Sequence, residues 1–175
     1  MKLTIVINGS GGVGKDTLCR LASHRWKVRN ISSVTPIKDL ARQCGWAGEK
    51  TDTARKFLAD LKALTAAYND FPTNWCMEEY RSFLETDEEI LFVHIREAEE
   101  IEKFVRATDG DAVTLLVRGG ARMANRVSNY GNHADDDVEQ YSYDYYFTND
   151  MPLRQVEPLF CTLVEQMFSD LQKRG

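Results

Sequence analysis

No apolar run in this 175-residue chain approaches the roughly 20 residues that a membrane span requires, so no spanning helix is expected. Basic residues are also short, 22 against 27 acidic, for a net charge of −5. That balance argues against a surface that tracks polymeric nucleic acid or an anionic membrane, so any phosphate must be met locally. The four cysteines, Cys19, Cys44, Cys76 and Cys161, include no C-x-x-C pair, which points to neither a zinc site nor a disulfide framework. They read as reduced thiols of a soluble cytoplasmic protein. The N-terminal MKLTIVINGS lacks a long hydrophobic region and a small-residue cleavage site, and reads as a first strand rather than a targeting signal. With no internal repeat and no low-complexity linker, a single domain over residues 1–175 is expected.

What is present alternates strand and helix. LTIVIN, residues 3–8, is a continuous apolar run ending at glycines, as in a strand buried on both faces of a parallel sheet. A helix follows from Lys15 to about Ser23, then a weaker strand over 27–34. Thr35-Pro36 reads as a helix start, with a hydroxyl cap and a first-turn proline, and Gly45 ends that helix. From Asp52 to about Asn69, Phe57, Leu58, Leu61 and Leu64 recur at helical spacing, and a further helix is expected from a Thr73 cap. EILFVHI (89–95), AVTLLV (112–117) and DYYFTN (144–149) supply three more strands. The last helix carries Val156, Leu159, Leu163, Met167 and Leu171, with Pro158 as a kink or a true start. The pattern implies an α/β fold whose ligands bind beyond the carboxyl ends of the strands.

Residues 9–17, GSGGVGKDT, fit the phosphate-cradling pattern G-x-x-x-x-G-K-[ST] except at Asp16, where a hydroxyl usually holds Mg²⁺. Gly9, Gly11, Gly12 and Gly14 let successive backbone N–H groups turn inward. Lys15 adds a point charge and the following helix adds its dipole. Together they suit a polyphosphate tail. Arg96, after a buried strand, is a candidate for an acceptor phosphate, because a guanidinium fork grips phosphate in two places. Arg118, Arg122 and Arg126 lie four apart and would form one basic stripe on a helix, with Gly119 and Gly120 as a hinge. Asn149 and Asp150, after the fifth strand, are placed to approach a donor base, or Asp150 caps the last helix. Trp46 and Trp75 could stack on a base, but aromatics at helical spacing more often fill a core; His24 and His133 have no partner pattern.

The glycine loop resembles that of the P-loop nucleoside monophosphate kinases, where the residue after the lysine is often not a hydroxyl and a threonine follows, as Thr17 does here. More narrowly, GKDT resembles the deoxynucleoside monophosphate kinase and adenylate kinase-like branch. The likeness continues through TPIKDLARQCGW, TARKFLADLKALTAAYND, HIREAEEIEKF and DDDVEQYSYDYYFTND. The resemblance implies a three-layer P-loop NTPase fold with a five-stranded parallel sheet, a helical acceptor-binding insert at about 35–86 and a lid at about 118–140. It implies ATP and Mg²⁺ as cofactors, transfer to a nucleoside or deoxynucleoside monophosphate, and donor contacts along Gly9, Gly11, Gly12, Val13, Gly14, Lys15, Asp16, Thr17 and Asn149. Acceptor contacts carry over to Lys38, Arg55 and Arg96, and catalytic cations to Lys15, Arg96, Arg118, Arg122 and Arg126.

One departure matters. In this branch the third strand commonly ends Asp-x-Arg, whereas here it ends His94-Ile95-Arg96, and imidazole is a poor ligand for Mg²⁺. Asp16 is then the candidate to meet the metal, against pairing with an arginine or the helix dipole. A small GTPase is disfavoured, since TNDM at 148–151 lacks the lysine of a guanine-reading motif. Two alternatives stay open: a P-loop kinase of another small phosphorylated metabolite, and a nucleotide-binding regulator that has lost catalysis.

Overall fold

The computed structural model describes residues 1–120 and 137–174. Five strands form one sheet: β1 (Leu3–Asn8), β2 (Val28–Ser32), β3 (Ile90–His94), β4 (Ala112–Gly119) and β5 (Tyr145–Asn149). The order is β2-β3-β1-β4-β5, and every pairing is parallel. Among the described residues six helices accompany them: α1 (Lys15–Ala22), α2 (Thr35–Gln43), α3 (Asp52–Asn69), α4 (Phe71–Leu84), α5 (Ala98–Ala107) and α6 (Leu153–Arg174), with a 3-10 turn at Asp137–Gln140.

The apolar runs read as doubly buried strands are so because alternate side chains serve two separate cores. Leu3, Ile5, Ile7, Ile90 and Phe92 pack with Leu18 of α1 and Phe160, Val164 and Met167 of α6. Val6, Leu91, Val93 and Leu116 turn the other way, against Tyr80 and Phe83 of α4 and Ile101 and Phe104 of α5. The sheet is therefore the middle of three layers. The loop leaving β1 reaches α1 on one face while the loop leaving its neighbour β3 reaches α5 on the other. A crevice opens between those two strand ends, as at any such switch point.

Several expected boundaries move for identifiable reasons. The helix after β2 starts at Thr35, but its cap is Val34 without a side-chain bond, and Pro36 sits in the first turn. Helix α4 begins at Phe71, not at a Thr73 cap: Asp70, at φ 53°, ends α3 and starts α4, and Pro72 supplies the first-turn dihedral. Pro158 lies inside α6. Helix α3 keeps its expected bounds, Asp52–Asn69, but lies at the periphery. Only Ala54 of this helix is buried, while Phe57, Leu64 and Tyr68 are 36%, 70% and 85% exposed. The helix packs on α2 and α4 rather than on the sheet, so its apolar stripe is not a core face. Among the described residues no helix is long and apolar enough to cross a membrane.

Stability should reflect this division. Phe92 is fully buried, 6.4 Å from the Phe160 ring centroid, and Phe92→Ala should cost about 3–5 kcal/mol in urea unfolding. Leu64→Ala should cost less than about 0.5 kcal/mol; comparable losses would contradict the assignment of α3 to the periphery.

Candidate functional site

A cleft of about 610 Å³ occupies the crevice between β1 and β3, lined by the glycine loop on one side and by α2, α3 and the β3 exit on the other. The loop's shape follows from its glycines at two points. A Cβ on Gly9 would lie 2.3 Å from the Val117 carbonyl oxygen, so only glycine lets the loop turn this close to β4. Gly14, at φ 92°, caps α1 without a side chain, which leaves the first-turn N–H groups to be met by solvent or an anion. Lys15 Nζ donates to the carbonyls of Gly9 and of Ser10, the latter at 3.0 Å. Gly11, Gly12, Lys15 and Asp16 line the cleft, and Val13 is buried beneath it.

Across the cleft stand Lys38 and Arg96. Among the described residues neither cation has a carboxylate partner. Two positive groups, Lys38 half-buried and Arg96 exposed, facing a helix N-terminus make a region where an anion is favoured. Arg55, the third expected acceptor contact, is not brought there. It sits one turn nearer the start of α3, exposed, with its guanidinium turned to Asp52 at 3.4 Å.

Lys62 takes the place on α3 that Arg55 was expected to fill, but it is already engaged. Its ammonium reaches Glu97 Oε2 at 2.6 Å, Glu100 Oε2 at 3.1 Å and Ser33 Oγ at 3.3 Å. The Glu100 contact is close enough for attraction yet out of line for a hydrogen bond. Burial pushes Glu97 up, but Lys62 outweighs it and holds this carboxyl below its ordinary value. Burial also raises Glu100, which Lys62 offsets only in part while Glu97 adds to the rise. The cluster ties α3 to the exit of β3.

Asn149, expected near a donor base, is buried, and its amide donates to the Val13 carbonyl at 2.8 Å; it fixes the back of the glycine loop. The helical arginine stripe also needs correction. Arg118 belongs to β4, opposite Thr148 of β5, because the strand runs two residues past the apolar segment. Its guanidinium forks onto Glu139 (2.9 and 2.7 Å) and lies over the Tyr146 ring. This pairing holds Glu139 below the usual carboxylate range, and Arg118 does not line the cleft. A Cβ on Gly120 would land 1.9 Å from Asp150 Cβ, so close packing accounts for this residue without a hinge. Arg122 and Arg126 lie outside the described residues, as do Asp135, Asp136 and His133.

His94 closes the inner end of the cleft. Its Nε2 is 2.7 Å from Asn30 Oδ1 and 3.7 Å from Cys19 Sγ, so Nε2 carries the proton and Nδ1 the lone pair. Asp16 is 93% exposed, 3.9 Å from the same nitrogen. Burial lowers the His94 pKa to about 4; Asp16 pulls it up and Lys15 down. The imidazole is neutral at pH 7. Burial also keeps the Cys19 thiol well above its ordinary value, and so unreactive. No group of three or more metal-binding side chains converges among the described residues. Mg²⁺ needs no such group, since it retains waters and takes one or two carboxylates together with substrate phosphates. The exposed oxygens of Asp16 at the cleft fit that requirement, and neutral His94 does not.

No family model matches this chain, and no curated protein matches it in sequence. Among solved structures it is similar to a candidate kinase from Chloroflexus aurantiacus, with a TM-score of 0.51 at 12% identity over 96% of this chain and 97% of that one. It also resembles a sugar kinase from a Janibacter species, with a TM-score of 0.49 at 16% identity over 94% and 95%. The α/β fold with its five-stranded parallel sheet is shared with that first structure. At such identity the first likeness extends to architecture and not to substrate.

The His94 environment makes stability pH-dependent. An unfolded chain protonates this residue near pH 6.5, while the folded imidazole resists until about pH 4. The unfolded state therefore binds more protons in that window, so the contribution is complete above pH 6.5 and is lost as pH falls through it. In metal-free protein, unfolding free energy from pH 7 to pH 4 should fall by up to about 3 kcal/mol more for the wild type than for His94→Gln. Equal slopes would mean that His94 is not held neutral.

Proposed function

We propose that this protein is an ATP-dependent phosphotransferase whose acceptor is a nucleoside or deoxynucleoside monophosphate. One observation carries the reading: a glycine loop and helix start built for a polyphosphate face two cations, Lys38 and Arg96, that have no carboxylate partner among the described residues, across a single cleft. The kinase fold supports it.

In this reading the loop N–H groups and Lys15 hold the donor phosphates, with Lys15 exchanging the Gly9 and Ser10 carbonyls for phosphate oxygens. Thr17 adds a hydroxyl to those oxygens, and Asp16 holds Mg²⁺ directly or through water. The metal supplies positive charge that offsets the developing charge on the donor phosphates. Arg96 grips the acceptor phosphate and Lys38 adds charge beside it. Arg118 leaves Glu139 to join the transferring group, with Arg122 and Arg126 as further lid cations. Little acid–base chemistry is required, since a phosphate-oxygen nucleophile is already ionised at neutral pH. Catalysis is then positioning and electrostatic stabilisation.

Lys38 and Arg96 would serve any phosphorylated acceptor of similar size, so a kinase of another small phosphorylated metabolite is the nearest alternative. A second reading, a nucleotide-binding regulator without transferase activity, is favoured by the neutral His94 at the end of β3, where the resembling family has a carboxylate. A coupled assay with ATP and a panel of monophosphates separates these. ADP release with one nucleotide acceptor supports the proposal; ATP binding without transfer across the panel supports the regulator.

On the kinase reading, Arg96→Ala should lower kcat/KM on the order of 10²–10³-fold, with ATP binding by calorimetry changed little. A loss below tenfold would remove Arg96 from the acceptor site. Asp16→Ala should raise the Mg²⁺ concentration giving half-maximal rate by at least about tenfold, the range seen when metal-supporting groups are lost. An unchanged Mg²⁺ titration would assign Asp16 to the helix dipole instead.

A further inference from the structure

Asn8 ends β1 with its side chain fully buried, and both its N–H donors and its carbonyl oxygen are engaged. Its Nδ2 donates to the Arg96 carbonyl at 3.0 Å and to Tyr143 Oη at 2.8 Å, while Oδ1 accepts the Gly9 N–H at 2.8 Å. The amide orientation follows from these partners. Turned over, its oxygen would face the Arg96 carbonyl and its NH₂ would face the Gly9 N–H. Aspartate could not donate to the carbonyl, a hydroxyl could not make three such bonds, and glutamine is one carbon too long.

The partners belong to three different parts of the proposed machinery. Gly9 opens the donor loop. Arg96 carries the acceptor cation. Tyr143 donates in turn to the Val138 carbonyl at 2.9 Å, within the 3-10 turn that holds Glu139, the partner of Arg118. Backbone pairing between β1 and β3 stops at Ile7 and His94. Past that point, where donor and acceptor segments diverge to opposite faces, the Asn8 amide joins Gly9 to Arg96 through its own hydrogen bonds. Burial raises the Tyr143 hydroxyl to about 12, so it remains a donor at any working pH.

Resting on the phosphotransferase reading, we infer that Asn8, supported by Tyr143, is a positioning residue that fixes the donor loop, the acceptor arginine and the Arg118 anchor relative to one another. Its side chain is fully buried and its polar atoms are taken up by protein partners. Its effect on the reaction comes through the spacing of groups that do, where a displacement near 1 Å can cost about 10²-fold.

The test compares wild type, Asn8→Asp and Tyr143→Phe in the coupled assay with the best acceptor of the panel. ATP calorimetry and thermal melts run alongside. Asn8→Asp keeps the shape and the Gly9 contact but sets an acceptor against the Arg96 carbonyl, and kcat should fall about 10²-fold. Tyr143→Phe removes one arm and should lower kcat about tenfold. In both, KM values and ATP affinity should stay within about threefold, because the groups that bind are retained. Folded variants with wild-type kcat would overturn the inference and leave the kinase reading standing. Losses confined to melting temperature would do the same, reducing Asn8 to a packing role. Should Asn8→Asp fail to fold, Tyr143→Phe decides. A wild-type protein that transfers to no acceptor would overturn the kinase reading and this inference together.

Discussion

Parallel pairing of β1 with both β3 and β4 is the constraint on which the rest depends. It sends every segment that leaves a strand to one end of the sheet. It also places the first residues of the glycine loop beside the β3 exit, in register at Ile7 and His94. Because the loops from β1 and β3 then part to opposite faces, a space opens that no side chain of either layer can fill. That space is where the helix dipole, the loop amides and the cations meet. Continuous burial of both strands keeps their ends from shifting, since each carries core side chains on both faces.

Charge in the cleft is distributed unevenly, and the pattern is informative. Lys62 is balanced by two carboxylates and holds the insert against the β3 exit. Arg118 is balanced by Glu139 and by an aromatic face. Among the described residues, Lys38 and Arg96 have no such partner. Ion pairs that serve the fold are closed locally, whereas cations meant for a ligand must be left open until it arrives. The division marks Lys38 and Arg96 as the cations open to a ligand as they stand, whereas Arg118 would first have to leave Glu139.

Much of this was legible in the sequence, and the reasons differ by element. β1 matches its expected bounds, and β3 lies inside the expected 89–95, because an apolar run bounded by glycine or charge has few other uses. The glycine loop was legible because its chemistry demands fixed spacing. Failures came where long-range pairing overrides local pattern. Arg118 keeps helical spacing with Arg122, yet β5 draws it into a strand. The apolar stripe of α3 has core periodicity, but the insert offers it no sheet to cover. Nothing in the local sequence singles out Lys62, since only tertiary structure brings Glu97 and Glu100 to it. Asn8 left a faint signal, a lone amide closing an otherwise apolar strand just before a glycine.

The exchange of His94 for the carboxylate of the resembling family need not empty the proposed site of negative charge. A carboxylate at His94 would face Asp16 across a distance now spanned by a 3.9 Å contact, and two acids that close resist being ionised together. With a neutral imidazole at the strand end, one carboxylate remains, moved to the helix start. There it stands in water at the positive end of α1, beside the loop that would hold the phosphates. On the proposed reading, the count of anionic ligands near the metal is kept and its origin shifts from a rigid strand to a helix turn. That makes the metal's position depend more on the bound polyphosphate than on the protein. It also accounts for two departures, at residues 16 and 94, as one compensated change.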